Sequence, residues 1–489
     1  MKLLDLIYSS GTENWSNRCK EAFQELFGST GRYASRAQEL SRVRAPEMKT
    51  EDKVSYGALI HPSNPDQGPY GGMSFVVFPI PDGPCLLGLG VGTQGLSPDE
   101  TILGRPGHAR KVQAIVRLLN HKQGRGKVVA WSKQEPTRID LQIPPNVQNS
   151  FSAYSRVFER YGHVMYGIYA PTNTREEGLY GLQAFLDLYF DERRAPLLSG
   201  ARSEADQIKR AYYSELFPDF SSKEVFELLE RRKFVILEGP PGTGKTRMAR
   251  MLIKDHYNGH GTSIQFHPNT SYEQFIGGLS PQQNDSGLGF QFEPTKGALM
   301  LAAEEAIKLG TKPYLLHIDE INRADLSKVL GEAIFLLEFQ DDHREISLSY
   351  DFGDGRTFLL PPNLHIVGTM NSADRSIAIL DVAVRRRFGF LKLWPQMNIV
   401  STHGGSLMQR AFQDLVSIFV EHASDDVFNL LPGHSYFLEK DETKATESLK
   451  VNLLPLLEEY IAEGYLAGFA DAVRGYCQWI ESLEVPKGT

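Results

Sequence analysis

The sequence predicts an α/β protein: a parallel sheet with helices on both faces, an α+β domain before it and a helical region after it. Two observations carry this reading. Short apolar, β-prone runs at 234–237, 314–318 and 364–367 look like buried strands with helical segments between them, and such alternation builds a parallel sheet. The first run stops at a glycine-rich turn that leads into a helical segment at 247–253. Earlier in the chain, 73–78 and 85–91 are apolar and read as a hairpin or two adjacent strands, with the proline-bounded stretch 79–84 between them. Residues 112–119 have helical spacing, and 181–190 form another helix candidate. From 201 to 232 the composition shifts to charged helix, where Ser221 and Glu224 form a capping box just ahead of 225–229. After about residue 400 the chain is mostly helical.

Length and composition bound the rest. At roughly 150 residues per domain, 489 residues suggest three domains. Hydrophobic residues at 41% and charged residues at 23% are ordinary globular values. Fifty-two Lys and Arg against 60 Asp and Glu give a net charge of −8, which excludes a globally basic nucleic-acid coat but not a local patch. The three cysteines, Cys19, Cys85 and Cys477, lie far apart, so neither a disulfide scaffold nor a Cys-x-x-Cys zinc site is expected. Asp5 interrupts the N-terminal apolar stretch, making a poor signal peptide, and no run approaches the roughly 18 apolar residues of a membrane span. A cytoplasmic location without membrane association is the expectation.

The chemistry is concentrated in one stretch. Gly239-Pro240-Pro241-Gly242-Thr243-Gly244-Lys245-Thr246 satisfies G-x-x-x-x-G-K-[ST] between a strand and a helix. Glycines let backbone N–H groups turn inward around phosphates, and the helix N-terminus adds its dipole. Lys245 is placed to reach the β- and γ-phosphates and the Thr246 hydroxyl to bind Mg2+. Such a loop needs a second acidic element. Asp319 and Glu320 supply it after the apolar run 314–318, at the C-terminal strand end where open α/β sheets bind ligands. Asp319 is expected in the Mg2+ shell and Glu320 beside the attacking water.

In these motifs the chain resembles an AAA+ NTPase, and more narrowly the McrB-type branch of the dynein-related group, the motor subunits of methylation-dependent restriction systems. The resemblance covers about 233–470. It rests on Asp319-Glu320-Ile321-Asn322-Arg323-Ala324, on Gln265-Phe266-His267 with Ser271-Tyr272-Glu273-Gln274-Phe275, and on Met370-Asn371-Ser372-Ala373-Asp374-Arg375-Ser376, where Ser372 replaces the family's Thr. It rests also on Arg385-Arg386-Arg387-Phe388, Gly433-His434-Ser435-Tyr436-Phe437 and Leu454-Pro455-Leu456-Leu457-Glu458-Glu459-Tyr460.

The resemblance implies an N-terminal recognition domain at 1–200, a helical linker at 201–232, the AAA+ core at 233–395 and a helical lid at 396–489. It implies Asn371 as the sensor that meets the γ-phosphate or the lytic water. It places Asp374 and Arg375 in a signature loop, and an arginine finger among Arg385, Arg386 and Arg387, which one being open. His434 and Ser435 are expected either to sense nucleotide from the lid or to pack within it. A hairpin around 280–292, tipped by Asn284–Gly287, either faces a ring pore or is a surface loop. The implied assembly is a ring, taken as a hexamer, working with a McrC-like nuclease chain. The P-loop does not read the base: ATP is expected from the habit of AAA+ proteins, and GTP stays open because the McrB branch includes a GTPase. A MoxR-like chaperone that remodels protein is the alternative use of the same engine.

Two N-terminal features complete the reading. Residues 105–138 hold nine basic residues (Arg105, Arg110, Lys111, Arg117, Lys122, Arg125, Lys127, Lys133 and Arg138) against the single acid Glu135, with Trp131 among them. This is either a DNA-contacting stretch or a solvated charged face. Gly90-Val91-Gly92-Thr93-Gln94-Gly95 matches G-x-G-x-x-G without the helix that a dinucleotide site needs, and reads as a tight turn. No nuclease constellation is visible.

Overall fold

In this computed structural model the runs at 73–78 and 85–91 are adjacent antiparallel strands of a six-stranded sheet. Its strands are β1 (Arg42–Arg44), β2 (Gly57–Ile60), β3 (Met73–Phe78), β4 (Leu86–Val91), β5 (Ala130–Ser132) and β6 (Met165–Tyr169). They lie in the order β1-β2-β3-β4-β6-β5, antiparallel throughout. The structure describes residues 2–9, 13–46, 54–283, 290–338, 344–353, 355–374 and 382–484. Every residue of β3 and β4 is buried, so both faces of this sheet are covered. One face packs Ala58, Val76, Phe78 and Ile168 against Phe151, Val157 and Phe158. On the other, the helices Pro106–Gln123 and Arg175–Asp191 close on Gly167, where an added Cβ would come within 3.1 Å of Val112 and 3.4 Å of Phe185. Each large apolar side chain buried this way contributes about 1.5–3 kcal/mol. Both helices contain the segments expected at 112–119 and 181–190. The glycine-rich stretch at 90–95 leaves the end of β4 in a turn, closed by Gly95 N–H on the Gly92 carbonyl at 3.0 Å.

The chain divides into two compact units, one running to Leu216 and including Ile418–Ser424, the other made of Phe217–Ser417 and the chain from Asp425 onward. The segment expected as a linker is shared: Ser199–Ser214 is a helix of the first unit and Ser222–Arg232 a helix of the second. The latter begins with the expected capping box, Ser221 accepting from the Glu224 N–H and the Glu224 carboxylate accepting from the Ser221 N–H.

The second unit carries β7 (Phe234–Gly239), β8 (Gly261–Gln265), β9 (Gly277–Gln283), β10 (Phe290–Lys296), β11 (Tyr314–Asp319), β12 (Glu345–Ser347), β13 (Thr357–Leu359), β14 (Leu364–Asn371) and β15 (Gly389–Lys392). Five form a wholly parallel sheet in the order β15-β7-β14-β11-β8. Strand alternation serves both faces, as a parallel sheet requires. Ile236, Leu316 and Ile366 pack with Leu299, Ala303 and Phe388; Val235, Leu237, Leu315 and Val367 pack with Val225, Leu229, Ala249 and Leu252. Strands β9 and β10 form the expected antiparallel hairpin, while its tip at 284–287 lies outside the described residues, as do Arg375 and Ser376. After β15 the chain is helical, with Met397–His403, Ser406–His422, Glu442–Ser448, Leu454–Ala462 and Ala470–Ser482. All three cysteines are free and buried, and no helix among the described residues is long and apolar enough to cross a membrane.

Candidate active site

Parallel strand register assembles the site at the C-terminal ends of the sheet. Strand β7 runs into the P-loop, and its last residue, Gly239, pairs with Asn371 at the end of β14. Strand β11, on the other side of β14, delivers Asp319 opposite Gln265 of β8. The P-loop turns through Gly242 and Gly244 at φ of 81° and 82°, left-handed values that side chains rarely adopt. Gly244 caps the helix Lys245–Asp255, so free backbone donors face the turn. The result is a cavity of about 280 Å³ lined by Gly242, Gly244, Lys245, Thr246, Arg247, Asp319, Glu320, Thr369, Met370, Asn371 and Ser435.

The side chains in it are held in place. Lys245 is 7% exposed, and its Nζ donates to the carbonyls of Gly239 at 2.9 Å and Pro240 at 2.8 Å. Burial pulls its ammonium down to about 8, against the opposing pull of Asp319, Asp374 and Glu320. Thr243 donates to the Pro240 carbonyl at 2.9 Å, tightening the loop. The Thr246 hydroxyl donates to Asp319 Oδ1 at 3.1 Å, and Thr369 donates to the same carboxylate. Thr246 and Asp319 are thus adjacent hard oxygen donors, a set that could hold Mg2+ together with phosphate oxygens and water. Among the described residues no cluster of three or more His, Cys, Asp or Glu could hold a metal ion. Glu320 sits in the left-handed region at φ 52°. Such a backbone costs about 1–3 kcal/mol and clusters at functional sites. Its Oε2 accepts from Gln265 Nε2 at 3.0 Å and pairs with Arg323 Nε at 2.8 Å.

A second wall comes from the helical region. Gly433 N–H donates to the Pro241 carbonyl at 2.8 Å and Ser435 N–H to the Gly242 carbonyl at 3.0 Å, so the 433–436 segment lies directly on the P-loop. Ser435 lines the cavity. His434 is buried, accepts the Gln396 N–H at 3.2 Å and is pushed down to about 4 by burial, so its ring is neutral.

The structure therefore brings Gly239, Pro240, Pro241, Gly242, Thr243, Gly244, Lys245, Thr246, Asp319, Glu320 and Asn371 together. It separates the three arginines. Arg387 is 4% exposed, donates to the Ala383 carbonyl at 2.7 Å and faces Glu338 at 3.7 Å, within its own unit. Arg385 and Arg386 are exposed. Sequence reading missed Thr369, Arg247 and Arg323 as parts of the site. Thr369 had a signal: it lies two residues before Asn371, on the same face of the strand.

The basic window is mostly consumed internally. Within the first unit Arg110 donates to the carbonyls of Val420 and Ala423 at 2.7 and 2.6 Å. Lys111 pairs with Glu192 and Glu421 at 2.8 and 2.6 Å, and Arg105 also pairs with both. Lys133 donates to the carbonyls of Arg138 and His163. Arg117, Lys122, Arg125, Lys127 and Arg138 are exposed; of these, Arg125 pairs with Glu177 and Arg138 with Asp140. The window is thus neither a continuous phosphate-facing stripe nor a simple solvated face.

Comparison with known proteins agrees with this geometry. Residues 234–388 match the AAA domain (dynein-related subfamily). The chain is 30% identical over 359 residues to the Type IV methyl-directed restriction enzyme EcoKMcrB subunit of Escherichia coli (strain K12), covering 66% of this chain and 76% of that one. It is 25% identical over 272 residues to the Type II restriction enzyme BsuMI component YdiS of Bacillus subtilis (strain 168), covering 46% of this chain and 78% of that one. A P-loop, a paired Asp319–Glu320 and a polar Asn371 at adjoining strand ends, with that relationship over most of the restriction subunit, place the chain in the McrB-like family of AAA+ P-loop NTPases.

Proposed function

We propose that this protein is the ring-forming, nucleotide-driven motor of a restriction or antiphage defence complex, hydrolysing ATP, or GTP, with Mg2+ and working with a separate nuclease chain. The observation that carries the catalytic part is the cavity shared by Lys245, Thr246, Asp319, Glu320 and Asn371. Lys245 and the P-loop amides bind the phosphates, and Thr246 with Asp319 holds the cation that neutralises them. Glu320 orients water against the γ-phosphorus and takes its proton as the bond to the β–γ bridging oxygen breaks. Asn371 donates to the γ-phosphate or that water.

Charge placement supports the ring. A transition state gathering negative charge gains from a guanidinium, and Arg385 and Arg386, exposed and outside the cavity lining, are free to meet a neighbouring subunit's nucleotide. We assign the finger to one of these two and leave Arg387 a structural role. The defence role rests on the two restriction relatives. The N-terminal unit is the target reader, with Lys122, Arg125 and Lys127 as its DNA-facing charges.

The test is phosphate release from ATP and from GTP, with and without duplex DNA and with and without a McrC-like nuclease chain. DNA-dependent or nuclease-dependent turnover is expected. Turnover indifferent to both, but stimulated by a protein substrate, would overturn the defence role in favour of protein remodelling.

A further inference from the structure

We infer that Arg323 is a positioning residue for the hydrolytic step: it ties Glu320 to Asp374 and fixes which carboxylate oxygen faces the cavity. This rests on reading Glu320 as the water-orienting carboxylate.

Four observations carry it. Ile321–Arg323 is a single 3-10 turn directly after Glu320, which brings Arg323 back over it, and Arg323 Nε meets Glu320 Oε2 at 2.8 Å. Gln265 Nε2 donates to the same oxygen at 3.0 Å, so two donors fix Oε2 while the residue lines the cavity. The Arg323 Nη2 lies 3.8 Å from Asp374 Oδ2, an oxygen that is buried and has no hydrogen-bond partner among the described residues. Finally, Arg323 is 42% exposed. A pair that open to water adds little stability, so fold maintenance does not account for it. Its effect is directional. With Oε2 held on one side, Oε1 is the oxygen left for water, and the left-handed backbone of Glu320 gains a side-chain anchor. Through Asp374 the same guanidinium reaches the loop that follows Asn371.

A double-mutant cycle tests this. Nucleotide affinity, kcat and KM are measured for wild type, Arg323→Ala, Arg323→Lys, Glu320→Gln and the Arg323→Ala/Glu320→Gln pair. Removal of Arg323 is expected to lower kcat by about 10²-fold, as small misplacements of reacting groups do. KM and nucleotide affinity stay within about threefold, the sign of a site that is folded but misaligned. Lysine, able to satisfy one carboxylate but not both, restores part of kcat. The double variant is no slower than Glu320→Gln alone, because Arg323 acts only through that carboxylate. Wild-type kcat in Arg323→Ala, or an equal further loss on the Glu320→Gln background, would overturn the inference. Wild-type kcat in Glu320→Gln would instead overturn the underlying reading of Glu320, and the inference with it.

Discussion

Substituting Gly433 by alanine should uncouple the helical region from the P-loop. Gly433 has an ordinary φ of −68°, so strain in the substituted backbone is not the issue; space is. A Cβ there would stand 2.1 Å from the Gly242 carbonyl carbon, 2.2 Å from its oxygen and 2.5 Å from the Pro241 oxygen. All three are backbone atoms of a loop already fixed by the Thr243 and Lys245 bonds to Gly239 and Pro240, so the 433–436 segment must move away by more than an ångström. That breaks the Gly433–Pro241 and Ser435–Gly242 hydrogen bonds. At about 1 kcal/mol net each, and more where a buried donor is left unmade, the loss is about 2–4 kcal/mol. Ser435 leaves the cavity wall with it. At 1.4 kcal/mol per factor of ten, nucleotide Kd should rise about 30-fold or more, and Tm should fall by several degrees. Titration with a fluorescent nucleotide analogue, beside a melting curve, reads both. Wild-type Kd and Tm together would show that the segment does not rest on the P-loop, and the two-walled site would be wrong.

Further outcomes follow from the same geometry. His365 is buried, with Nδ1 bonded to the Tyr257 hydroxyl at 2.6 Å, and burial lowers it to about 4. Its unfolded form takes up a proton below the ordinary 6.5 while the folded form does not, so stability falls as pH drops from about 6.5 towards 4. The loss is about 2 kcal/mol by pH 5; His365→Gln should flatten that slope in denaturant titrations, and an unchanged slope refutes the assignment. Either Arg385→Ala or Arg386→Ala should cut turnover about 10³-fold without weakening nucleotide binding, whereas Arg387→Ala should lower Tm; the reverse pattern refutes the separation of the three arginines. Reversing Lys122, Arg125 and Lys127 to Glu should weaken DNA binding and reduce its salt dependence by up to about three phosphate contacts. If Kd and salt slope are unmoved, DNA is read elsewhere or not at all.

The parallel sheet and most of the site were legible because they depend on local signals. The apolar runs 234–237, 314–318 and 364–367 lie within strands that extend to Gly239, Asp319 and Asn371, and the Ser221–Glu224 box starts its helix as expected. The rest depends on partners distant in sequence. Nothing local distinguishes Arg110 from Lys122 in the basic window, yet Arg110 is buried against carbonyls 310 and 313 residues away while Lys122 is exposed. Arg387 differs from Arg385 and Arg386 in being turned inward just after a short helix, towards Ala383 and Glu338. In the first unit, β5 has three residues and reaches β4 only through β6, a strand order no periodicity encodes. Thr369 shows the intermediate case: strand period puts it beside Asn371, but its bond to Asp319 appears only once β11 and β14 are paired.

The hydrolytic site is tested most directly by comparing nucleotide binding and phosphate release in wild type, Lys245→Ala and Glu320→Gln, using ATP and GTP in turn. Lys245→Ala should lose binding and turnover together. Glu320→Gln should bind as wild type does but release phosphate at least about 10²-fold more slowly. Turnover at the wild-type rate in both variants, with either nucleotide, would contradict the assignment of this cavity as the hydrolytic site.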